Sequence, residues 1–170
     1  MTCTTNAVPT LYLMRHAWAE EADGVCWPND DLRPITPGGR LRFRRMIDKL
    51  AKRGLSPGQI FTSPLVRCAQ SAAIVRQALR EEPAIHERTE LAPGGDWSSL
   101  LAHSAALAGD IAWMGHAPDV STGLARLIGG PAASIRFAKG AVAAIAFNGE
   151  MAWGQGELRW LATAKMLGID

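Results

Sequence analysis

The chain has few cysteines, no long apolar run and almost no net charge, and each shortage excludes a class of protein. Cys3, Cys26 and Cys68 are irregularly spaced and form no CxxC pair, so neither a disulfide framework nor a zinc site is indicated. No segment approaches the roughly 20 apolar residues of a membrane helix. Residues 1–10 lack the basic and apolar regions of a signal peptide. We therefore expect a cytoplasmic protein without membrane insertion.

The charge gives little reason to expect a nucleic-acid partner. The formal net charge is only +2, and the tryptophans are not spaced as a stacking platform with basic residues. Basic residues are nevertheless concentrated in residues 40–53. This segment is either a solvated helix face or a docking surface for an acidic partner, and the sequence leaves both interpretations open.

Length and composition indicate one folded domain. A chain of 170 residues with 48% hydrophobic and 20% charged residues has ordinary globular usage and is long enough to bury a core. We predict a single domain over residues 1–170, with residues 1–9 as a loose N-terminal arm.

Short apolar runs alternate with helical patterns along the chain. Strands are predicted at 11–14, from residue 60 to the break at Ser63-Pro64, and at 84–86, 111–114, 141–147 and 158–161. Helices are predicted from Thr36-Pro37 to Gly54, from Ser63-Pro64 to about Arg80, at 98–108, and from Pro118-Asp119 to about Ile128. The last two strands should form a hairpin, and the acidic segment 20–34 should be a loop that could overhang a site.

Polar residues follow three of the predicted strands at their carboxyl ends. Arg15-His16 and Gly115-His116 each end an apolar run, and Arg67 comes shortly after a third. In an open α/β sheet such residues collect at one edge, where ligands bind. Arg67 is also expected in the first turn of a helix, where free N–H groups and the helix dipole favour a phosphate. The pattern therefore indicates a site for phosphoryl chemistry.

The residue types suit that chemistry. The planar fork of an arginine pairs with two phosphate oxygens, which fits Arg15 and Arg67. A neutral histidine has a free ring nitrogen that can attack phosphorus and form a covalent intermediate, which water later hydrolyses. Either His16 or His116 could attack while the other donates to an equatorial oxygen. A zinc site is disfavoured because no third ligand stands at metal spacing.

Three motifs match a known family in order. Residues 13–17 (Leu-Met-Arg-His-Ala), 62–72 (Thr-Ser-Pro-Leu-Val-Arg-Cys-Ala-Gln-Ser-Ala) and 115–118 (Gly-His-Ala-Pro) resemble the Arg-His-Gly, Ser-Pro-x-x-Arg-x-x-Gln-Thr-Ala and Gly-His-x-Pro signatures of the histidine phosphatase (phosphoglycerate mutase-like) superfamily. Residues 35–39 also resemble its Leu-Thr-x-x-Gly element. The resemblance spans most of the chain from Leu11 onward.

The resemblance implies a three-layer α/β/α sandwich, with a mostly parallel central sheet and helices on both faces. It also implies His16 as the phosphorylated nucleophile and a phosphate pocket of Arg15, Arg67 and His116, with no metal or other cofactor. Ala17 departs from the family, where glycine is usual. If that position needs a positive φ or a close approach of the phosphate, the alanine methyl group would lower activity.

The subgroup that the chain resembles most is the SixA group of phosphohistidine phosphatases. The chain is short, it has no large insertion after Arg67, and residues 90–96 fit that group. An uncapped pocket can admit a phosphorylated side chain on a protein surface. The predicted reaction is hydrolysis of phosphohistidine on a protein, with inorganic phosphate as product. A broad small-molecule phosphomonoesterase and a catalytically silent phosphate- or phosphoprotein-binding module remain alternatives.

The proton donor is the least determined part of the predicted site. Many relatives place a carboxylate in the region of residues 90–96, so Glu90 and Asp96 are candidate general acids. Each is equally well explained as a solvated loop carboxylate. Lys139 could reach the pocket rim or lie in a surface turn, and Trp18 and Trp27 are candidates for the wall of the pocket mouth.

Overall fold

The computed structural model describes residues 9–170, so all but the last residue of the predicted N-terminal arm lies outside the described residues. The strands are β1 (Thr10–Arg15), β2 (Gln59–Thr62), β3 (Ala84–Glu87), β4 (Ile111–Gly115), β5 (Val142–Phe147) and β6 (Gly156–Ala162). The helices are α1 (Pro37–Ala51), α2 (Val66–Ala78), α3 (Ser98–Ala105) and α4 (Asp119–Leu127). The strands form one sheet in the order β3-β2-β4-β1-β5-β6.

The sheet is mostly parallel, as predicted. Neighbouring strands among β3, β2, β4 and β1 pair in parallel, and β5 is antiparallel to both of its neighbours. The β5–β6 pair is the predicted hairpin. A hairpin can continue a parallel sheet because its antiparallel strands need only a short connection.

Both faces of the sheet are buried, which explains why its central strands are nearly continuous apolar runs. Successive side chains of a strand point to opposite faces. Tyr12 and Met14 of β1 therefore pack in one core cluster with α1 and α2, while Leu11 and Leu13 pack in a second cluster with α3 and α4. This arrangement confirms the predicted three-layer α/β/α sandwich.

The order of the strands creates a crevice at one edge of the sheet. The chain moves outward from β1 through β2 to β3, then returns through β4 toward β5. Because crossovers are right-handed, helices on the outward and the return paths cover opposite faces. The helices that follow the adjacent strands β1 and β4 thus diverge, and ligands bind at such a switch point.

Helix α1 begins where the sequence predicted. Thr36 is its N-cap, with a hydroxyl that accepts a hydrogen bond from the Gly39 N–H at 2.9 Å, and Pro37 is its first residue. The other predicted helices form as well.

Helix α3 ends at Ala105 rather than at residue 108. The residues after it form i to i+3 hydrogen bonds instead of helical i to i+4 bonds, such as that from the Leu107 N–H to the Ser104 carbonyl at 3.1 Å. None of the described helices has the length and apolarity needed to cross a bilayer.

The predicted start of α2 is wrong. The helix begins at Val66 rather than at Pro64, and the residue before it, Leu65, is extended with no side-chain cap. Ser63 is held at the edge of the sheet, because its N–H donates to the Met114 carbonyl at 3.0 Å. The Ser63 hydroxyl does not cap the helix: it lies 2.8 Å from His116 Nε2 and accepts a long bond from the Leu65 N–H at 3.4 Å. A tertiary contact therefore takes the group that the local Ser-Pro start signal would use.

Candidate active site

The two histidines of the predicted site lie side by side at the crevice. His16 follows β1 and His116 follows β4, and Arg15 pairs with Gly115 in the register of these strands. The backbone of His16 is fixed on both sides: its N–H donates to the Gly115 carbonyl at 3.1 Å, and its carbonyl accepts from the Gly140 N–H at 3.0 Å. The centroids of the two imidazole rings are 5.2 Å apart. The fold thus brings together residues separated by a hundred positions.

The hydrogen bond to the His16 carbonyl requires a glycine at position 140. Its φ of +70° lies in the left-handed region, and an added Cβ would lie 2.9 Å from the Trp18 ring. Only glycine can hold the carbonyl of His16 from this position without displacing Trp18.

Both histidines line a cavity of about 490 Å³ with an excess of positive charge. Its cationic side chains belong to Arg15, Arg33, Arg67 and Lys139, against the carboxylates of Glu20 and Glu21. Lys139 therefore lies at the pocket, which was one of the two positions predicted for it, the other being a surface turn. The Asp30 carboxylate also pairs with two of these cations, Arg33 and Arg67, and the charge at the cavity is still positive. A positive cavity suits a phosphate monoester or phosphoramidate, which carries about two negative charges near neutral pH.

The tautomer of His16 follows from its hydrogen bond. Its Nδ1 lies 2.7 Å from the Ala17 carbonyl oxygen, and since a carbonyl can only accept, Nδ1 carries the proton. The pKa of His16 is lowered to about 4, chiefly by burial and also by the nearby charges of Arg67 and Arg15, against the bond to Ala17, which raises it. Near neutral pH the ring is uncharged, and the lone pair is on Nε2.

His116 is buried beside a hydroxyl and a thiol. Its Nε2 lies 2.8 Å from Ser63 Oγ and 3.4 Å from Cys68 Sγ. Burial, followed by the charges of His16 and Arg67, lowers the pKa of His116 to about 3. Burial raises the pKa of Cys68 to about 12, so that residue is a protonated thiol in the core rather than a nucleophile.

Arg67 is almost fully buried, with 4% of its surface exposed, and it is bound by the acidic loop. Its Nη1 donates to the Asp30 carbonyl at 2.8 Å, and its Nη2 lies 3.0 Å from the Asp30 carboxylate. Arg33 Nε donates to the same carboxylate at 2.7 Å. The pKa of Asp30 is lowered, first by the bond from Arg33 and further by Arg67. The predicted loop at 20–34 thus does reach over the site.

Sequence reasoning missed both Asp30 and Arg33 as residues of this site. The sequence did contain one relevant pattern: Asp30 and Arg33 are three positions apart, which places their opposite charges on one side of a single turn. That spacing predicts a local ion pair, found here as a turn over Asp30–Leu32 with Arg33 following. It says nothing of a contact with Arg67, which only the fold brings near.

Ala17 fits its position without backbone strain. Among the described residues the one non-glycine with positive φ is Glu82, so Ala17 has an ordinary backbone, and its methyl group is fully buried in the core. Its N–H donates to Ser71 Oγ at 3.0 Å, and the Ser71 hydroxyl donates to the Arg67 carbonyl at 2.6 Å. The Ser71 hydroxyl therefore links the segment after β1, which carries His16 and Ala17, to the helix that carries Arg67.

The carboxylates of the two candidate acids are bound by nearby serines. The Glu90 carboxylate accepts from the Ser99 hydroxyl at 3.1 Å, and the Asp96 carboxylate accepts from the N–H and hydroxyl of Ser98 at 3.0 and 2.7 Å. Neither residue lines the cavity. An acid role for Glu90 or Asp96 stays a prediction.

Within residues 9–170, no group of three or more His, Cys, Asp or Glu side chains could hold a metal ion.

The lowered pKa values of His16 and His116 predict how stability depends on pH. An unfolded chain binds protons on these rings below about pH 6.5, whereas the folded protein binds them only near pH 4 and 3. The free energy of unfolding should therefore fall as the pH is lowered from 6.5, by up to about 1.4 kcal/mol per pH unit for each histidine. Urea unfolding at several pH values measures this slope. His16→Asn should reduce it, and an unchanged slope in that variant would contradict the assigned burial of a neutral ring.

The fold and the site define a class of protein: an α/β sandwich that holds two neutral histidines against a basic cavity at the carboxyl edge of its sheet. The model of the histidine phosphatase superfamily (branch 1) matches residues 11–122. The chain belongs to this superfamily, and membership supports phosphatase activity.

Individual relatives agree with this assignment. An uncharacterised protein of Picosynechococcus sp. is 35% identical over 115 residues, which cover 65% of this chain and 67% of that protein. The structure of the protein histidine phosphatase SixA complexed with tungstate has a TM-score of 0.81 and 24% identity, covering 93% of this chain and 99% of that one. A putative phosphohistidine phosphatase SixA from Nakamurella multipartitia has a TM-score of 0.73 and 25% identity, covering 92% and 96%. The resemblance to the SixA group is therefore confirmed.

Proposed function

We propose that this protein hydrolyses phosphohistidine on a protein, through a covalent intermediate on His16. The observation that carries the proposal is the state of His16: a buried, neutral ring with its proton held on Nδ1 by the Ala17 carbonyl and its Nε2 free beside a basic cavity. A neutral imidazole nitrogen is a nucleophile that needs no base to activate it.

In the first step, Nε2 of His16 attacks phosphorus. A bond forms between Nε2 and phosphorus, the P–N bond of the substrate breaks, and the departing imidazole takes a proton from solvent. Arg15 and Arg67 would balance the charge on the equatorial oxygens, and the neutral His116 would donate a hydrogen bond to one of them. The Ala17 carbonyl stabilises the positive charge that develops on the His16 ring, because it accepts the bond from Nδ1.

In the second step, water attacks phosphorus, the Nε2–P bond breaks, and inorganic phosphate leaves. The attacking water releases a proton to solvent, which balances the proton taken up in the first step. The ring returns to its neutral form with Nδ1 still bound to Ala17. The site thus ends in the state in which it began, so the enzyme can begin another catalytic cycle.

Two observations favour phosphohistidine over a phosphate ester. An alkoxide leaving group needs a strong general acid, whereas an imidazole that leaves phosphorus when the P–N bond breaks needs less help. The two acids predicted for the leaving group, Glu90 and Asp96, are engaged by serines and do not line the cavity. The carboxylates among the lining residues are those of Glu20 and Glu21, which are the groups to test if an ester is turned over. The likeness to a structure described as a protein histidine phosphatase, over nearly the full length of both chains, supports the same substrate class.

The test compares three substrates with the wild-type protein: a phosphohistidine-bearing carrier protein, a small phosphosugar and 4-nitrophenyl phosphate. We expect kcat/KM for the carrier protein to exceed that for the phosphosugar by at least about 100-fold, because the phosphosugar needs an acid at its leaving oxygen. An acid-labile label should appear transiently on the enzyme. Turnover of phosphosugars alone would instead indicate a small-molecule phosphomonoesterase, and binding of the carrier without release of phosphate would indicate a silent binding module.

A further inference from the structure

A second cavity adjoins the active site and is strongly basic. It has a volume of about 550 Å³ and shares Arg15 and Lys139 with the catalytic cavity. Beyond these two it is lined by three further cationic side chains, those of Arg42, Arg136 and Lys165. No Asp or Glu is among its lining residues within the part of the chain that the structure describes. We call this second cavity the basic cleft.

Arg42 gives the basic cleft a fixed cation. Its guanidinium stacks over the Trp18 ring, 4.3 Å from the ring centroid, and its Nη2 donates to the Ile169 carbonyl at 3.2 Å. Its buried Nε has no hydrogen-bond partner among the described residues. Stacking on an aromatic ring orders a guanidinium. Because Nη2 is bound to Ile169 and Nε is buried, Nη1 is the nitrogen left for a carboxylate or phosphate.

The basic segment at 40–53 is thereby divided between two roles. Arg44 pairs with Asp48 at 2.8 Å, and Lys49 donates to the Leu167 carbonyl at 2.7 Å, so both act within the fold. Arg45 is exposed on the surface of α1. Arg42 is directed to the basic cleft, which agrees with the interpretation of this segment as part of a docking surface for an acidic partner.

We propose that the basic cleft binds carboxylate side chains of the protein that presents the phosphohistidine. The inference rests on the proposed function and adds to it the charge of the substrate surface beside the phosphorylated residue. Because Arg15 and Lys139 belong to both cavities, the acidic side chains would lie next to the phosphohistidine itself rather than at a distant surface.

The character of the cations favours a protein surface over a small ligand. Arg136, Lys139 and Lys165 are exposed side chains, and only Arg42 is held by packing. Exposed cations around an opening attract an acidic surface at long range and raise the rate of association. A small anionic ligand is instead bound by convergent, buried polar groups.

The test uses two synthetic peptides, each with one phosphohistidine, that differ only in whether glutamate or glutamine flanks it. The wild-type protein should show a kcat/KM at least about fivefold higher for the glutamate peptide, and salt should reduce this preference. The double variant Arg136→Met/Lys165→Met should bring the ratio close to one. Arg42→Met, measured separately, should lower it as well.

The matched control is Arg45→Met/Lys52→Met, which removes one arginine and one lysine from exposed positions of α1 and of the turn after it. This control should keep the wild-type ratio. The inference is overturned by a wild-type ratio near one, by a ratio that survives the cleft variants, or by an equal loss in the control. Failure of the proposed function looks different: neither peptide is dephosphorylated although 4-nitrophenyl phosphate is, and the inference then fails with it.

Discussion

Replacing His16 with asparagine should lower kcat for 4-nitrophenyl phosphate by at least about 10⁴-fold, because loss of a nucleophile removes the covalent route altogether. Asparagine is close in size to the imidazole and can still donate to the Ala17 carbonyl, the partner of Nδ1 at 2.7 Å. The fold around the site should therefore persist while the attacking nitrogen is gone. Steady-state kinetics and acid-labile labelling of the enzyme measure both effects.

The matched control is His103→Asn, the same chemical change on the exposed surface of α3. It should leave kcat and the labelled intermediate unchanged. If His16→Asn retained the covalent label, the nucleophile would have to be another residue, and His116 would be the first to test because its ring lies 5.2 Å away.

Replacing Arg67 with methionine should lower kcat/KM for the same substrate by about 10²- to 10³-fold, the usual cost of losing one preorganised donor to a developing oxyanion. Methionine keeps much of the apolar stem that Arg67 buries, which limits damage to the core. Asp30 would keep its bond to Arg33 at 2.7 Å, so the overhanging loop retains one of its two anchors. The expected loss of kcat/KM therefore measures the missing contact with the phosphate rather than unfolding of the protein.

Arg76→Met is the control for this substitution, since Arg76 is an exposed arginine on the same helix, α2. Its kcat/KM should match the wild type, and thermal unfolding of all variants verifies that each is folded. A loss below about tenfold in Arg67→Met would contradict a direct contact between this guanidinium and the transferred phosphoryl group.

The strands and the histidine motifs that follow them could be predicted from the sequence because their signals are local. A strand buried on both faces is a run of apolar residues, and β1 and β4 are such runs, each followed by a histidine. The start of α1 could be predicted for the same reason, since Thr36 and Pro37 carry the cap and the first turn themselves.

The start of α2 shows where local signals fail. Ser63-Pro64 has the same form as Thr36-Pro37, yet Ser63 donates its N–H to Met114 across the sheet, and its hydroxyl lies 2.8 Å from His116 Nε2. Whether the Ser63 hydroxyl caps the helix or binds a tertiary partner depends on which strand lies beside β2, and here that strand is β4, which His116 follows. The sequence near Ser63 contains no information about that neighbour.

The sequence by itself determined the sandwich and the family, and it predicts the four residues of the phosphate site, because apolar periodicity and short motifs are carried by neighbouring residues. Only the tertiary structure decided that Asp30 binds Arg67, that Lys139 reaches the cavity and that Arg42 lies against Trp18 in the basic cleft. These contacts join side chains far apart in the chain. They depend on how the loops at the carboxyl edge of the sheet pack against one another, and no local preference specifies that packing.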